Sequence, residues 1–218
     1  MISRIREIPL LVACAAAAAL MPLSCALTSK AEIVGVRYFS PEPVKPRSNN
    51  LGPVGANAQP LQLRLGRVSS GPNLRERIAY RSNTYEAGYY EDFRWTERPE
   101  TFLRRQLGLS LFEARGVIRA VGAVAPTLDV ELIVFDELRL QEGRAVRIQL
   151  KLTLYQSDVV LLEETLTLER SVLGENPRIE DIVAAMSAAL DAVAQEVAVK
   201  VVRVLAARRL QTANEPTL

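Results

Sequence analysis

The chain has 218 residues, 49% of them hydrophobic and 24% charged, with 27 basic against 25 acidic side chains, two cysteines and no histidine. That is a globular composition, long enough to bury a core without covalent staples, which excludes disorder throughout. The missing histidines exclude Ser-His-Asp and Cys-His catalysis and histidine-built metal sites. A net charge of +2 over the whole chain gives little electrostatic reason to expect nucleic acid, which normally demands a clustered basic face.

Residues 1–24 read as a signal peptide: Arg4 and Arg6, then an apolar stretch from Ile8 to Ser24 that stops at Cys25. Pro9, Pro22 and a preponderance of alanine make it a poor permanent span beside the roughly 20 strongly apolar residues such a helix needs. Bacterial lipoprotein signals end directly before the cysteine that receives the lipid. Cys14 follows the better local box, Leu11-Val12-Ala13, but leaves an apolar stretch of only about six residues, short for a signal. Cys25 has the better length behind the poorer box Pro22-Leu23-Ser24, and is the expected site of lipidation, with Cys14 as the alternative. Plain cleavage of a secreted chain is the bland reading. Against it, no cysteine follows Cys25, so the domain uses no disulfide although an exported chain could.

Residues 25–60 read as a tether: a short strand over 33–39, then five prolines, two glycines and three asparagines between residues 40 and 60. From Leu61 the alternation Leu61, Leu63, Leu65 predicts a half-buried strand, and Ile78 to Tyr80 with Tyr85 to Tyr90 predicts an edge hairpin. Glu97-Arg98-Pro99-Glu100 is a helix start, and the following helix, ending at Gly116, carries the stripe Leu103, Leu107, Leu111.

Residues 128–140 and 144–154 alternate apolar even positions with polar odd ones. With Val159 to Arg170 they predict a three-stranded antiparallel meander turning at Gln141-Glu142-Gly143 and Gln156-Ser157-Asp158. Pro177 then opens a helix over 177–209, in which Ile179, Ile182, Met186, Leu190, Val193, Val197 and Val201 recur at helical spacing, as a core-facing stripe should. Residues 210–218 read as a flexible tail. The expected fold of 61–209 is a two-layer α+β domain: an antiparallel-rich sheet, with a mixed sheet as the variant, covered on one face by two long helices.

Chemistry-bearing motifs are scarce. Gly52-Pro53-Val54-Gly55 and the stretch from Gly116 to Gly122 lack the spacing of a phosphate loop, so no cofactor is expected. In Glu163-Glu164 neighbouring strand residues face opposite ways, and Glu180-Asp181 sits in a first helical turn, where acids complement the dipole. Neither reads as a catalytic pair, and no catalytic or metal residue is assigned. The aromatic segment from Tyr85 to Trp95 reads first as edge-strand packing. Its second reading is a protein contact carried by Trp95, Arg94 and Tyr90, types typical of interface anchors.

A cysteine at the mature start, Arg37-Tyr38-Phe39-Ser40-Pro41, the run Phe93-Arg94-Trp95-Thr96-Glu97-Arg98-Pro99 leading into a helix, the strand Leu128 to Glu137, and the run Met186 to Leu190 in the last helix occur in one order. That order resembles the ABC-type transport auxiliary lipoproteins, the group that includes the paraquat-inducible protein C (YmbA-like) lipoproteins, from about residue 36 to 205. The resemblance implies a non-catalytic periplasmic subunit of a lipid-transport system, held by its N-terminal lipid at the inner leaflet of the outer membrane. Its implied partners are a mammalian-cell-entry (MCE) domain protein and an ABC permease with its ATPase, with a homo-oligomer as a further possibility. Ala26 is not the aspartate that commonly retains lipoproteins at the inner membrane. The rival reading is an envelope lipoprotein that activates or assembles a cell-wall or outer-membrane biogenesis complex.

Overall fold

The computed structural model describes residues 35–41, 60–122, 124–174 and 176–213. The signal peptide, Cys14, Cys25, most of the proline-rich loop and the last five residues lie outside the described residues. Its elements run β1 (Arg37–Phe39), β2 (Gln62–Ser70), β3 (Arg77–Arg81), β4 (Ala87–Trp95), α1 (Pro99–Gly108), β5 (Ile118–Arg119), β6 (Thr127–Leu140), β7 (Gly143–Gln156), β8 (Val159–Ser171) and α2 (Ile179–Ala213).

The strands form one mixed sheet of eight. The expected meander is present: β7 pairs antiparallel with β6 along its length and with β8 on its other side. The opposite edge of β6 is shared. Its first half pairs parallel with β2, and its second half pairs parallel with β3. The hairpin of β3 and β4 is therefore interior rather than at an edge, since β3 lies against β6 and β4 is covered by the parallel strand β1. Alternation alone cannot separate an edge hairpin from one that a distant segment covers, because both show the same period of two.

On the helix-facing side Val146, Ile148, Leu150, Leu152 and Leu154 of β7 are all at 0% exposure. α2 lies across them. Its composition matches a membrane span, but Met186, Ala189, Val193, Val197 and Val201 are fully buried against the sheet, and the helix runs four residues past the expected end at 209. The other helix is short. α1 ends at Gly108 and continues as a π-helical turn over Leu109–Glu113, where the Ala114 N–H reaches back to the Leu109 carbonyl at 2.9 Å. This keeps Leu111, with Leu103 and Leu107, at 0% exposure. Inside the layer the Gln106 amide donates to Asp191 of α2 at 2.6 Å, fixing one helix to the other.

Of the register shifts in the sheet, two lie along β6. In β2 the register with β6 shifts between Leu65 and Val68. A side chain at Gly66 there would run into Asp129 Oδ1 and Thr127 Cγ2, so only glycine lets the strands approach. In β6 the register with β7 shifts between Leu132 and Val134. An extra residue in one strand reverses which side chains point inward. Before it Leu128, Val130 and Leu132 face the helices; after it Phe135, Glu137 and Arg139 do, opposite Ile148, Val146 and Arg144.

Candidate functional site, a cleft over a buried glutamate

The reversal in β6 brings a carboxylate into the covered face. Glu137 is at 0% exposure. A buried charge survives only if its lone pairs are met by donors, and here three side chains supply them. Arg144 donates to Glu137 Oε1 at 2.6 Å; the Tyr90 hydroxyl and Arg139 donate to Oε2 at 2.6 and 3.3 Å. The guanidinium of Arg139 lies 3.4 Å from the centre of the Tyr80 ring and 5.0 Å from that of Tyr90, a cation–π contact with each. Burial, and then the bond to Glu137, raise the pKa of Tyr90, which keeps its hydroxyl protonated and donating.

Above this cluster, between the sheet and the first turn of α2, lies a cleft of about 450 Å³. Its walls are Arg37 of β1, Tyr90 and Phe93 of β4, Arg144 of β7, and Ile179, Glu180 and Ile182 of α2 with the two residues before them. Arg37 crosses to α2 and bonds Glu180 at 2.6 Å, stacked over Phe39 and Phe93 at 5.1 and 5.7 Å. That guanidinium holds the Glu180 carboxyl below its ordinary pKa of 4.5. Asp181 accepts the Arg178 N–H at 2.9 Å and so caps α2. The acids of Glu180-Asp181 thus have the structural work that the sequence assigned to them. Glu163 and Glu164 part to opposite faces as expected, Glu163 to Lys151 at 2.7 Å and Glu164 to Lys200 of α2 at 2.8 Å.

The three residues expected to touch a partner end up in three places. Trp95 is 1% exposed, stacked on Phe135 at 5.4 Å and edge-on to Phe102 at 6.0 Å. It is a core residue, out of a partner's reach, because the bulge turns Phe135 toward it. Arg94 points the other way and donates to the carbonyls of its own strand at Tyr90 and Phe93. Tyr90 alone of the three lines the cleft. The sequence assigns no site role to Glu137, Arg139 or Arg144, and Arg37 stands in it only as the first residue of the run Arg37-Tyr38-Phe39-Ser40-Pro41. A signal for Glu137 did exist, since Phe135 breaks the even-numbered apolar pattern of residues 128–140 two positions before it.

With both oxygens of Glu137 engaged by charged or hydroxyl donors, the cluster fixes the cleft's shape; it is not arranged as a free base. Among the described residues no three histidine, cysteine, aspartate or glutamate side chains are grouped to hold a metal ion.

Residues 48–198 match the family model described as the ABC-type transport auxiliary lipoprotein component. No curated protein matches. Among solved structures, a DUF330 protein from Xanthomonas campestris is similar, with a TM-score of 0.65 at 18% identity, covering 81% of this chain and 99% of the other. An uncharacterized protein gives a TM-score of 0.61 at 15% identity, with 77% and 99% covered. At those identities the likeness extends to the fold. The family match spans more than half of the chain, and the protein belongs to the ABC-type transport auxiliary lipoproteins.

Proposed function

We propose that the protein is a non-catalytic periplasmic adaptor of an MCE-type lipid transporter, anchored in the inner leaflet of the outer membrane through a lipid on Cys25. The observation that carries the reading is a sequence with a signal-like leader ending at Cys25, continued by a domain of the transport auxiliary lipoprotein family. In this reading the energy of ATP hydrolysis comes from another subunit, and this chain binds and positions.

The geometry supports a tethered adaptor in one further respect. β1 begins at Arg37, on the cleft wall, 12 residues after Cys25. Fully extended, that segment spans about 40 Å at ~3.3 Å per residue. In this reading Tyr90, which lines the cleft, is the member of the predicted contact set that meets the MCE component, while Trp95 stays packed on Phe135 and Phe102.

Cys25→Ala in the full chain is expected to abolish incorporation of labelled palmitate and release the protein from the membrane fraction. Retained label would move the site to Cys14. Affinity capture of the lipidated chain from its own envelope is expected to recover an MCE protein with its permease and ATPase. Recovery of a cell-wall synthase in their place would overturn the reading.

A further inference from the structure

β8 is 13 residues long and, among the described residues, pairs only with β7. Its outer edge therefore presents a run of unpaired backbone donors and acceptors, an invitation to another strand that soluble proteins usually block or use. The side chains on this edge specify a partner. From Leu162 to Ser171, even-numbered residues turn to the helix face and odd-numbered ones to the open face, following their partners on β7. Three of the four charged residues between 163 and 171 are matched within the chain: Glu163 by Lys151, Glu164 by Lys200 and Glu169 by Arg147. Arg170 is exposed and makes no ion pair among the described residues.

We propose that β8 pairs antiparallel with β8 of a second copy about a two-fold axis through Thr167, continuing the sheet across a dimer. In that register Arg170 of each copy stands opposite Glu164 of the other, and Leu166 opposite Leu168, on the helix face. On the open face Thr165 meets Glu169, Glu163 meets Ser171 and Thr167 meets itself. Lys200 already holds the Glu164 carboxylate at this edge by one oxygen, and that carboxylate is the acceptor for the second cation. Moving the axis by one residue loses the match. An axis at Leu166 sets Glu163 against Glu169, and one at Leu168 sets Arg170 against Leu166. Opposite charges directly across a strand pair stabilise it and like charges destabilise it, so the charge pattern selects a single register. A two-fold interface needs this kind of self-complementarity.

Two-fold pairing brings the two copies of residue 167 to Cα separations of about 4.5–5.5 Å, inside the range a disulfide spans. Thr167→Cys in the full chain, purified in detergent and mildly oxidised, is expected to give a disulfide-linked dimer beyond the background of the unmodified chain. Thr165→Cys is expected to give none, since its two copies stand about 13 Å apart along the strand. By sedimentation, Arg170→Glu is expected to weaken the dimer about tenfold or more, and adding Glu164→Arg to restore it. A Thr167→Cys chain that stays at background, equal cross-linking from both positions, or an Arg170→Glu chain that dimerises unchanged would each overturn the pairing.

Discussion

From Thr127 to Leu132, β6 lays Leu128, Val130 and Leu132 on the helix face at 0–1% exposure, opposite three leucines of β7. From Phe135 onward the same strand, against the same neighbour, lays an aromatic, a buried carboxylate and an arginine there. The two halves have similar apolar content and differ by a single inserted residue. That residue converts a leucine seam into a polar cluster under a cleft, because a slip of one position exchanges the faces of everything that follows. Had the strand run on without the bulge, Val134 and Leu138 would face the helices and Glu137 would face away. The first half supplies stability; the second supplies a shaped end to the molecule.

The sharpest test of this contrast is Trp95→Ala. Trp95 owes its burial to Phe135, which faces it only because of the bulge. Loss of a buried tryptophan costs about 3–5 kcal/mol, read as an early thermal melt by circular dichroism. A variant with unchanged melting but weakened partner capture would return Trp95 to the surface and remove the reversal. Next in size is Glu137→Ala. Breaking a buried pair by removing one partner costs about 3–5 kcal/mol. The cost here is lower, about 2–3 kcal/mol, because the side chains of Arg139 and Arg144 are 29% and 37% exposed and regain water. Denaturant unfolding measures it, and an unchanged midpoint would show that the cluster stabilises nothing.

The same contrast marks how far the sequence could be read. Where the spacing runs unbroken, the reading holds; in β6 the even-numbered face read over 128–140 holds only as far as Leu132, because the bulge turns Val134 and Leu138 away from the helices. Leu103, Leu107 and Leu111 are buried as expected, and so is the α2 stripe from Ile182 to Val201. So is the meander, whose two turns fall at the expected residues, Ser157 adopting a positive φ of 52° and Gly143 one of 129°. What was not legible depends on pairing between segments far apart. Nothing local announces that β2 and β3 share one edge of β6, or that β1 covers β4. The residue pair Ile118–Arg119 is too short to carry a period, yet it pairs parallel with β2. The site fell in this second class. Tyr90 stood out as an aromatic, but its acceptor lies 47 residues away on the far side of a bulge.

Smaller again is the expected effect of Tyr90→Phe, which removes the donor to Glu137 Oε2 and keeps the ring edge-on to Tyr80. Loss of a hydrogen bond to a charged group costs about 1.5–3 kcal/mol at full burial, and about 1 kcal/mol here, where Tyr90 is half-buried and Arg139 still reaches the same oxygen. The cleft should survive, so partner capture should fall with Tyr90→Ala far more than with Tyr90→Phe. Equal losses would mean that the hydroxyl, and not the ring, makes the contact.

The least effect is expected on the opposite face, where the reversal leaves Asp136. It is 4% exposed; Oδ2 is bonded by Arg81 at 2.8 Å, and Oδ1 has no hydrogen-bond partner among the described residues. Burial raises its pKa above the ordinary 3.8, against the opposing pull of Arg81. A folded form that binds the proton more tightly than the unfolded chain gains stability as pH falls through the raised value toward 3.8, and the gain is complete below it. Glu180 has the opposite sign, since Arg37 lowers its pKa and its contribution is lost as pH falls through the lowered value, below 4.5. Asp136→Asn should therefore remove a slope that favours the wild type as acid is added just above pH 3.8, while leaving the Glu180 limb in place. Melting temperatures of the two chains across that window decide it. A wild type that loses ground to the variant on acidification would mean that Arg81 outweighs burial, and that the second half of β6 is matched in charge on both of its faces.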